Sequence, residues 1–340
     1  MKQILFTVLV FSLFNLAPHL GSVASASAVK TAKIQKGFVT LSDGVDRYVE
    51  VSQPEPGKPW IVFTNGLVYD LERWAAMDTE LRQAGFGIVH YYMRGQDWSL
   101  AREVEQFKTP KFFAKGLQSK DFADELSGIL EQLGIEEKVA LVGLSYGAHV
   151  AASFAELYPD KVEQVIFLAP LVIPLEKYKP QGQWLDWNLA WVRTMWGPYF
   201  YEYAYRQIYG SYLDKRVEDK VPAHVSHIAK EYKESLFHLI RVVRDFDLRD
   251  FKFNKLEKNS VHFMVSTEEV EQTFNDQVQT FDKVAKSTQG SLIWFPEASH
   301  AIPDSEPRLA AKYLQLIIAR DPRIESGKKY KSTSRGLANW

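Results

Sequence analysis

The chain has 340 residues, a formal net charge of −1 at pH 7, 46% hydrophobic residues and 14% aromatic residues. So small a net charge argues against a dedicated nucleic-acid surface, and we predict no nucleic-acid partner. The sequence contains no cysteine, which excludes disulfide bonds and a lipid-modified cysteine. The length suffices for one large α/β domain with an inserted subdomain.

The first 28 residues predict a secretory signal peptide. Lys2 precedes an apolar run from Ile4 to Leu16, which is too short to span a bilayer comfortably. A run of small residues ends at Ala28, and we expect cleavage after it; an uncleaved membrane anchor is the alternative. We therefore expect a secreted or periplasmic mature chain with no stable membrane span.

Apolar runs and amphipathic segments alternate along the rest of the chain. Predicted strands cover residues 37–41, 47–52, 60–64, 87–92, 138–142, 165–168, 261–265 and 291–295. Predicted helices cover residues 71–83, 122–133, 148–158 and 306–319. The first two strands form an antiparallel hairpin, and the later alternation predicts an α/β fold with a mainly parallel sheet and helices on both faces.

The alternation stops between residues 172 and 250, where no buried-strand pattern occurs. This stretch is rich in tryptophan and tyrosine and then carries charged helical runs near residues 217–244. We predict a helical cap over 172–250, inserted between two parts of a core at 29–171 and 251–325. A flexible basic tail is expected over 326–340.

A G-x-S-x-G motif at residues 143–147 lies between a predicted buried strand and a predicted helix. This is the context of a nucleophile elbow, in which the serine occupies a sharp turn and glycines allow strand and helix to pass closely. The helix N-terminus then points free N–H groups at any oxyanion formed there. We predict Ser145 as a nucleophile; a structural turn serine is the alternative.

His300 directly follows the last predicted strand, so it should lie at the carboxyl edge of the sheet with Ser145. We predict it as the general base, with a surface histidine as the alternative. The acid is expected after the strand at 261–265, where Glu269 is preferred and Glu268 is second. Adjacent glutamates are often simply solvated, which is the competing interpretation.

The oxyanion hole is expected to use two backbone donors. The N–H of Tyr146 is one, and the N–H of Leu67, after the strand at 60–64, is the other. Gly66 allows close backbone approach, and Asn65 either holds this loop through side-chain hydrogen bonds or is an ordinary turn asparagine.

The remaining histidines do not indicate another site. His149 is expected to pack within the helix that follows the elbow. His224 and His227 could share a helix face, but no carboxylate pattern accompanies them. We predict no metal and no cofactor.

Three further segments carry a resemblance to a known family: N-G-L at 65–67 with Trp74, R-G-Q-D-W-S at 94–99, and S-H-A-I-P at 299–303 followed by Glu306-Pro307. Together with the elbow, they resemble the α/β-hydrolase superfamily in its capped branch of esterases and lipases. The resemblance covers residues 39–171 and 261–318. It implies the α/β-hydrolase fold, an oxyanion segment at 65–67 and a catalytic-histidine loop at 299–303.

The sequence departs from the family pattern in three places. Asn65 stands where the family usually has histidine, Asp97 replaces the second glycine of the Arg-Gly loop, and a glutamate stands where aspartate is usual. Serine at 145 argues against the dehalogenase and epoxide-hydrolase relatives, which need a carboxylate nucleophile.

These features predict a secreted serine hydrolase that cleaves a carboxylic ester or thioester through an acyl-enzyme intermediate. The aromatic cap would favour an apolar small-molecule substrate, although its aromatic residues could equally form the core of the cap. The alternatives are a peptidase, a cofactor-free haloperoxidase-like enzyme, or a non-catalytic binding protein with this fold. The sequence does not predict the oligomeric state.

Overall fold

A computed structural model describes residues 33–67, 69–174, 230–244, 246–267 and 271–340. The predicted signal peptide, most of the predicted cap, His224, His227 and both candidate acids, Glu268 and Glu269, lie outside the described residues.

The described strands form one ten-stranded sheet in the order β1-β2-β4-β3-β5-β6-β7-β8-β9-β10. They are β1 (Gln35–Thr40), β2 (Asp46–Ser52), β3 (Trp60–Thr64), β4 (Gly87–Tyr91), β5 (Val139–Leu144), β6 (Val162–Leu168), β7 (Val261–Ser266), β8 (Leu292–Phe295), β9 (Lys329–Thr333) and β10 (Gly336–Asn339). Strands β3 to β9 are parallel to one another. The two ends of the sheet are antiparallel hairpins.

Helices cover both faces of this sheet. They are α1 (Ala75–Gln83), α2 (Asp97–Phe107), α3 (Phe112–Lys115), α4 (Ser119–Gln132), α5 (Gly147–Leu157), α6 (Lys230–Val242), α7 (Glu271–Thr288), α8 (Ile302–Ser305) and α9 (Pro307–Ile318). Short 3-10 helices occupy Leu71–Trp74, Pro159–Lys161 and Leu248–Asp250. In the part of the chain with defined placement, no helix is long and apolar enough to cross a membrane.

Each central strand contributes to two separate apolar clusters. Val62 of β3 packs with residues of α4, α5 and α7, whereas its neighbours Ile61 and Phe63 pack with residues of α1 and α9. All five residues of β3 are buried, which is why its sequence is continuously apolar. The predicted α/β fold with helices on both faces is therefore confirmed.

The end of the chain differs from the sequence prediction. Residues 326–340 were predicted as a flexible tail, but β9 pairs in parallel with β8, and β10 returns antiparallel to β9. Tyr330 and Ser332 alternate with more exposed residues and are buried against the domain. The Trp340 ring centroid lies 5.1 Å from that of Trp294. Aromatic packing and strand pairing order a segment whose lysines and serines indicated a loose tail.

Candidate active site

Ser145 occupies the turn between β5 and α5 with a φ of 50°, in the left-handed region. Residues other than glycine adopt this conformation only when their surroundings enforce it. The two glycines of the motif allow the strand, the turn and the helix to pack this closely. A Cβ on Gly143 would lie 3.0 Å from the Gly147 carbonyl oxygen, and one on Gly147 would lie 1.9 Å from the Thr64 carbonyl oxygen. Strand, turn and helix therefore meet as a nucleophile elbow does.

The loop after β6 holds the backbone of Ser145 in this conformation. The Ser145 N–H donates to the Leu168 carbonyl at 2.9 Å, and the Leu171 N–H donates to the Ser145 carbonyl at 3.1 Å. Gln277 of α7, which is fully buried, donates its side-chain amide to the Pro170 carbonyl at 3.0 Å. Both backbone polar groups of Ser145 are thus paired, while its side chain stays partly exposed.

The loop after β3 is closed by the buried side chain of Asn65. Its amide nitrogen donates to the Tyr69 carbonyl, and its amide oxygen accepts a 3.0 Å hydrogen bond from the Trp74 indole nitrogen. The prediction that Asn65 holds this loop is confirmed. Leu67 lies half-buried in the loop, packed against the apolar core.

His300 is buried, with 8% of its surface exposed, in the loop between β8 and α8. Two contacts fix this loop beside its neighbours. The Thr267 hydroxyl, just after β7, donates to the Pro296 carbonyl at 2.7 Å. Asp304 of α8 forms an ion pair with Arg73, which follows the Asn65 loop. The loops after β3, β7 and β8 are therefore connected at the carboxyl edge of the sheet.

The residue after the serine is anchored through its side chain. Tyr146 is buried, and its hydroxyl donates to the Leu239 carbonyl of α6 at 3.0 Å. Burial raises the pKa of Tyr146 well above its usual value of 10, so the hydroxyl remains a neutral donor. The structure places Tyr146 directly beside Ser145, at the start of α5.

Comparison with known families agrees with this geometry. A family model described as the alpha/beta hydrolase fold matches residues 59–283 of the chain. The chain belongs to the α/β-hydrolase family. The match includes the Asn65 loop and the elbow, and it ends before His300.

Two curated relatives share part of this α/β-hydrolase's sequence. A bifunctional esterase/perhydrolase from Acinetobacter calcoaceticus is 27% identical over 150 residues, which cover 43% of this chain and 49% of the relative. A 2-hydroxy-6-oxononadienedioate/2-hydroxy-6-oxononatrienedioate hydrolase from Pseudomonas putida is 25% identical over 142 residues, 41% of this chain and 46% of the relative. The aligned part thus spans about half the length of these relatives.

Solved structures share the fold over a larger part of the chain. An esterase from Exiguobacterium antarcticum superposes with a TM-score of 0.60 at 15% identity, covering 84% of this chain and 100% of the esterase. An enol-lactonase from Burkholderia xenovorans gives a TM-score of 0.58 at 17% identity, covering 83% of this chain and 100% of that structure. At such identities the likeness shows the fold.

The α/β-hydrolase's Arg-Gly loop is anchored by a buried charge cluster that the sequence did not predict. Arg94 donates to Glu125 through its backbone N–H at 2.8 Å and through Nε at 2.7 Å. Arg47, which is 1% exposed, donates Nε to the same carboxylate at 2.5 Å. Burial alone would raise the pKa of Glu125, but the two guanidinium charges outweigh it and lower the pKa below its usual value.

Asp97, the family departure in this loop, begins α2 with a φ of 37°. Asp97 is exposed, but the loop around it partly desolvates its carboxyl, and this effect, with a smaller contribution from the carboxylate of Asp70, raises the pKa of Asp97 to about 6. Glycine would adopt this φ without strain, whereas aspartate adds both strain and a second acidic group at this edge.

His90, His149 and His262 pack in the interior of the α/β-hydrolase. His149 is fully buried, its ring centroid lies 4.3 Å from that of Tyr146, and burial lowers its pKa to about 4. This agrees with the packing role expected from the sequence. Among the residues that the structure describes, no group of three or more His, Cys, Asp or Glu side chains could hold a metal ion.

Proposed function

We propose that this α/β-hydrolase is a serine hydrolase that cleaves a carboxylic ester or a thioester. The observation that carries the proposal is the backbone of Ser145: a positive φ on a strand-to-helix turn, packed against the loop that follows β3. A structural serine has no need of this strained conformation, whereas a nucleophile gains an exposed hydroxyl beside backbone donors.

In the proposed reaction, the Ser145 hydroxyl oxygen attacks the substrate carbonyl carbon while His300 accepts the hydroxyl proton. Backbone N–H groups of Tyr146 and Leu67 stabilise the negative oxygen that develops. Collapse expels the alcohol or thiol, which takes the proton from His300, and leaves an acyl group on Ser145. Water, activated by His300, then releases the acid. Glu269 is the proposed residue that orients His300.

Several observations support these roles. His300 is buried in the loop after β8, and that loop is tied to the loop after β3 through Arg73 and Asp304. Parallel strands present their carboxyl ends at one edge of a sheet, so the loops after β5, β7 and β8 open on the same side. The names of both curated relatives, an esterase/perhydrolase and a hydrolase, also favour a hydrolytic reaction.

Substrate class and location extend the proposal. The tryptophan- and tyrosine-rich sequence between 184 and 205 favours an apolar acyl or alcohol group. The signal-peptide pattern over residues 1–28 supports export and cleavage after Ala28. N-terminal sequencing of the exported protein should begin at Val29, and a chain retaining Met1 in the membrane fraction would contradict export.

Fluorophosphonate labelling of the folded protein tests the nucleophile. We expect one adduct at Ser145, and its loss in Ser145→Ala together with at least about a thousandfold loss of p-nitrophenyl ester hydrolysis. Ser153→Ala, at a buried serine in the helix α5 that follows the elbow, is the matched control and should label normally. A folded wild type that neither labels nor hydrolyses small activated esters would contradict the proposal and favour a binding protein.

The base and acid are tested by the same two assays. His300→Ala should abolish turnover, whereas replacement of the buried His149 by phenylalanine should leave a measurable rate. Glu269→Gln should reduce kcat far more than Glu268→Gln, because only one carboxylate can orient His300. The reverse order of effects would assign the acid to Glu268. A parallel series of esters and thioesters with matched acyl groups would identify the preferred leaving group.

A further inference from the structure

Helix α6 contacts the segment that carries one proposed oxyanion donor, Tyr146, and the Arg-Gly loop that neighbours the segment of the other, Leu67. The contacts come from one turn of the helix, between Ser235 and Leu239, which are fully buried. On one side Leu239 meets Tyr146, and on the other both residues meet Gly95, beside the loop of Gly66. Helix α6 lies within the segment predicted as the cap, and it is packed directly against the elbow and the Arg-Gly loop.

The contact with Tyr146 is made near the C-terminal end of α6. There the Val243 N–H donates to the Ile240 carbonyl at 3.2 Å. The Leu239 carbonyl accepts the Tyr146 hydroxyl at 3.0 Å. A buried carbonyl requires such a partner. The far end of the tyrosine ring is therefore fixed to α6, while its backbone begins α5.

The contact with Gly95 reaches the other donor segment. The Ser235 hydroxyl donates to the Gly95 carbonyl at 2.6 Å. Gly95 has a φ of 81°, and a Cβ there would lie 2.6 Å from the Ser235 hydroxyl oxygen. The next residue, Gln96, is buried and donates its amide to the Gly66 carbonyl across a longer distance of 3.4 Å. Ser235 is thereby linked through two residues to the backbone that precedes Leu67.

We propose that the hydroxyls of Tyr146 and Ser235 are positioning groups through which α6 sets the spacing of the two oxyanion donors. This inference rests on the proposed function, because the donors are the N–H groups of Tyr146 and Leu67. Displacing α6 would change the direction and spacing of the two donors, whereas the Ser145 backbone remains held by Leu168 and Leu171. Such an effect lowers kcat more than it raises KM, because the oxyanion forms only in the transition state.

Kinetics of single and double variants test the inference. Tyr146→Phe and Ser235→Ala should each lower kcat about tenfold with less than about a twofold change in KM. Because the two hydroxyls act on one helix, the double variant should lose less than the product of the two single losses. Tyr158→Phe removes an exposed tyrosine hydroxyl bonded to Asp124 just after the same helix α5, and its kcat should equal that of wild type.

Hydrogen–deuterium exchange separates this inference from the proposed function. In Ser235→Ala, peptides covering residues 65–69 and 145–150 should both exchange faster than in wild type, and in Tyr158→Phe neither should. Active wild type with unchanged kcat in both variants would overturn the positioning role but leave the function intact. An inactive wild type would contradict the proposed hydrolase function itself. Unchanged exchange in both peptides of Ser235→Ala would overturn the proposed link between α6 and the oxyanion donors.

Discussion

Gly147 and Thr64 contact each other through both the side chain and the backbone of Thr64. The Thr64 hydroxyl donates to the Gly147 carbonyl at 2.8 Å, and a Cβ on Gly147 would lie 1.9 Å from the Thr64 carbonyl oxygen. The backbones at the end of β3 and at the start of α5 are therefore packed directly against each other. This contact brings the segment containing Asn65 and Leu67 beside Ser145.

Gly147→Ala should prevent this approach. The clash involves backbone atoms on both sides, so we expect a loss of more than about 4 kcal/mol in the free energy of unfolding, or no folded protein. Gly37→Ala is the matched control: a Cβ there meets nothing within 4 Å, and the change should lie within about 0.5 kcal/mol. Urea unfolding followed by circular dichroism measures both. A stable, active Gly147→Ala would contradict the close packing described for the elbow.

Asn65→Ala should loosen the loop after β3. The substitution leaves the Trp74 indole N–H and the Tyr69 carbonyl without their described partner, at a cost of about 1–3 kcal/mol. Because this loop carries Leu67, kcat for ester hydrolysis should fall at least about tenfold. Asn339→Ala, an exposed position in β10, is the control for both measurements. Unchanged kcat in a folded Asn65→Ala would show that the side chain does not position the donor.

Motifs and apolar runs predicted the part of the fold that matters for the elbow. The strand at 60–64, the strand before Ser145 and the helix after it all occur where the sequence places them, because a buried parallel strand must be apolar on both faces. Helices α2 and α7 were not predicted. Helix α2 begins at Asp97 inside the segment interpreted as a loop, and α7 follows directly after the loop expected to carry the acid.

Glu125→Gln should strongly destabilise the fold. The substitution leaves the buried Arg47 and the largely buried Arg94 without the carboxylate that both contact. Removing one partner of a buried ion pair costs about 3–5 kcal/mol when the remaining charge is uncompensated, and the exposed Asp43, 3.7 Å from Arg47 and 3.8 Å from Arg94, compensates these charges only in part. Urea unfolding at pH 7 measures this cost, and Glu136→Gln, at an exposed position, should be neutral.

The Glu125 carboxylate should also make the stability of the fold depend on pH. Its pKa is lower in the folded protein than the ordinary 4.5, so its contribution to stability is present above pH 4.5 and is lost as the pH falls toward the folded-state pKa. Wild type should therefore lose more stability than Glu125→Gln between pH 5 and pH 3. Parallel acid-unfolding curves for the two proteins would contradict this assignment.

Asp97→Asn should stabilise the protein slightly at neutral pH, because Asp97 is exposed and solvent screens much of the unfavourable charge. The pKa of Asp97 is raised from 3.8 to about 6, so the ionised carboxylate costs stability as the pH rises through this range. Asparagine keeps the size and tolerates positive φ but carries no charge. The variant should gain in melting temperature at pH 8 and match wild type at pH 4. Asp160→Asn, an exposed position, provides the baseline, and equal gains at both pH values would exclude the titration of Asp97.

The contacts around the site are less accessible to sequence reasoning. Arg47 lies on a strand of alternating pattern and Glu125 on an amphipathic helix, where charged residues normally face solvent. The structure shows why they are buried: Glu125 forms ion pairs with both Arg47 and Arg94, which lie in different segments of the chain. The hydrogen bond from Tyr146 to α6 likewise joins residues 93 positions apart, and no local pattern indicates it.

The strand order has a kinetic consequence. Ile61 pairs with Ala140, and Val165 pairs with Val261, so the centre of the sheet is closed only by contacts between distant parts of the chain. Chains dominated by such pairings refold slowly, because the loop-closure entropy is lost before the new contacts compensate for it. Ser145 directly follows β5, the strand that pairs with β3 in the first of these contacts. Recovery of covalent labelling at this serine after dilution from denaturant should therefore lag behind the return of helical signal.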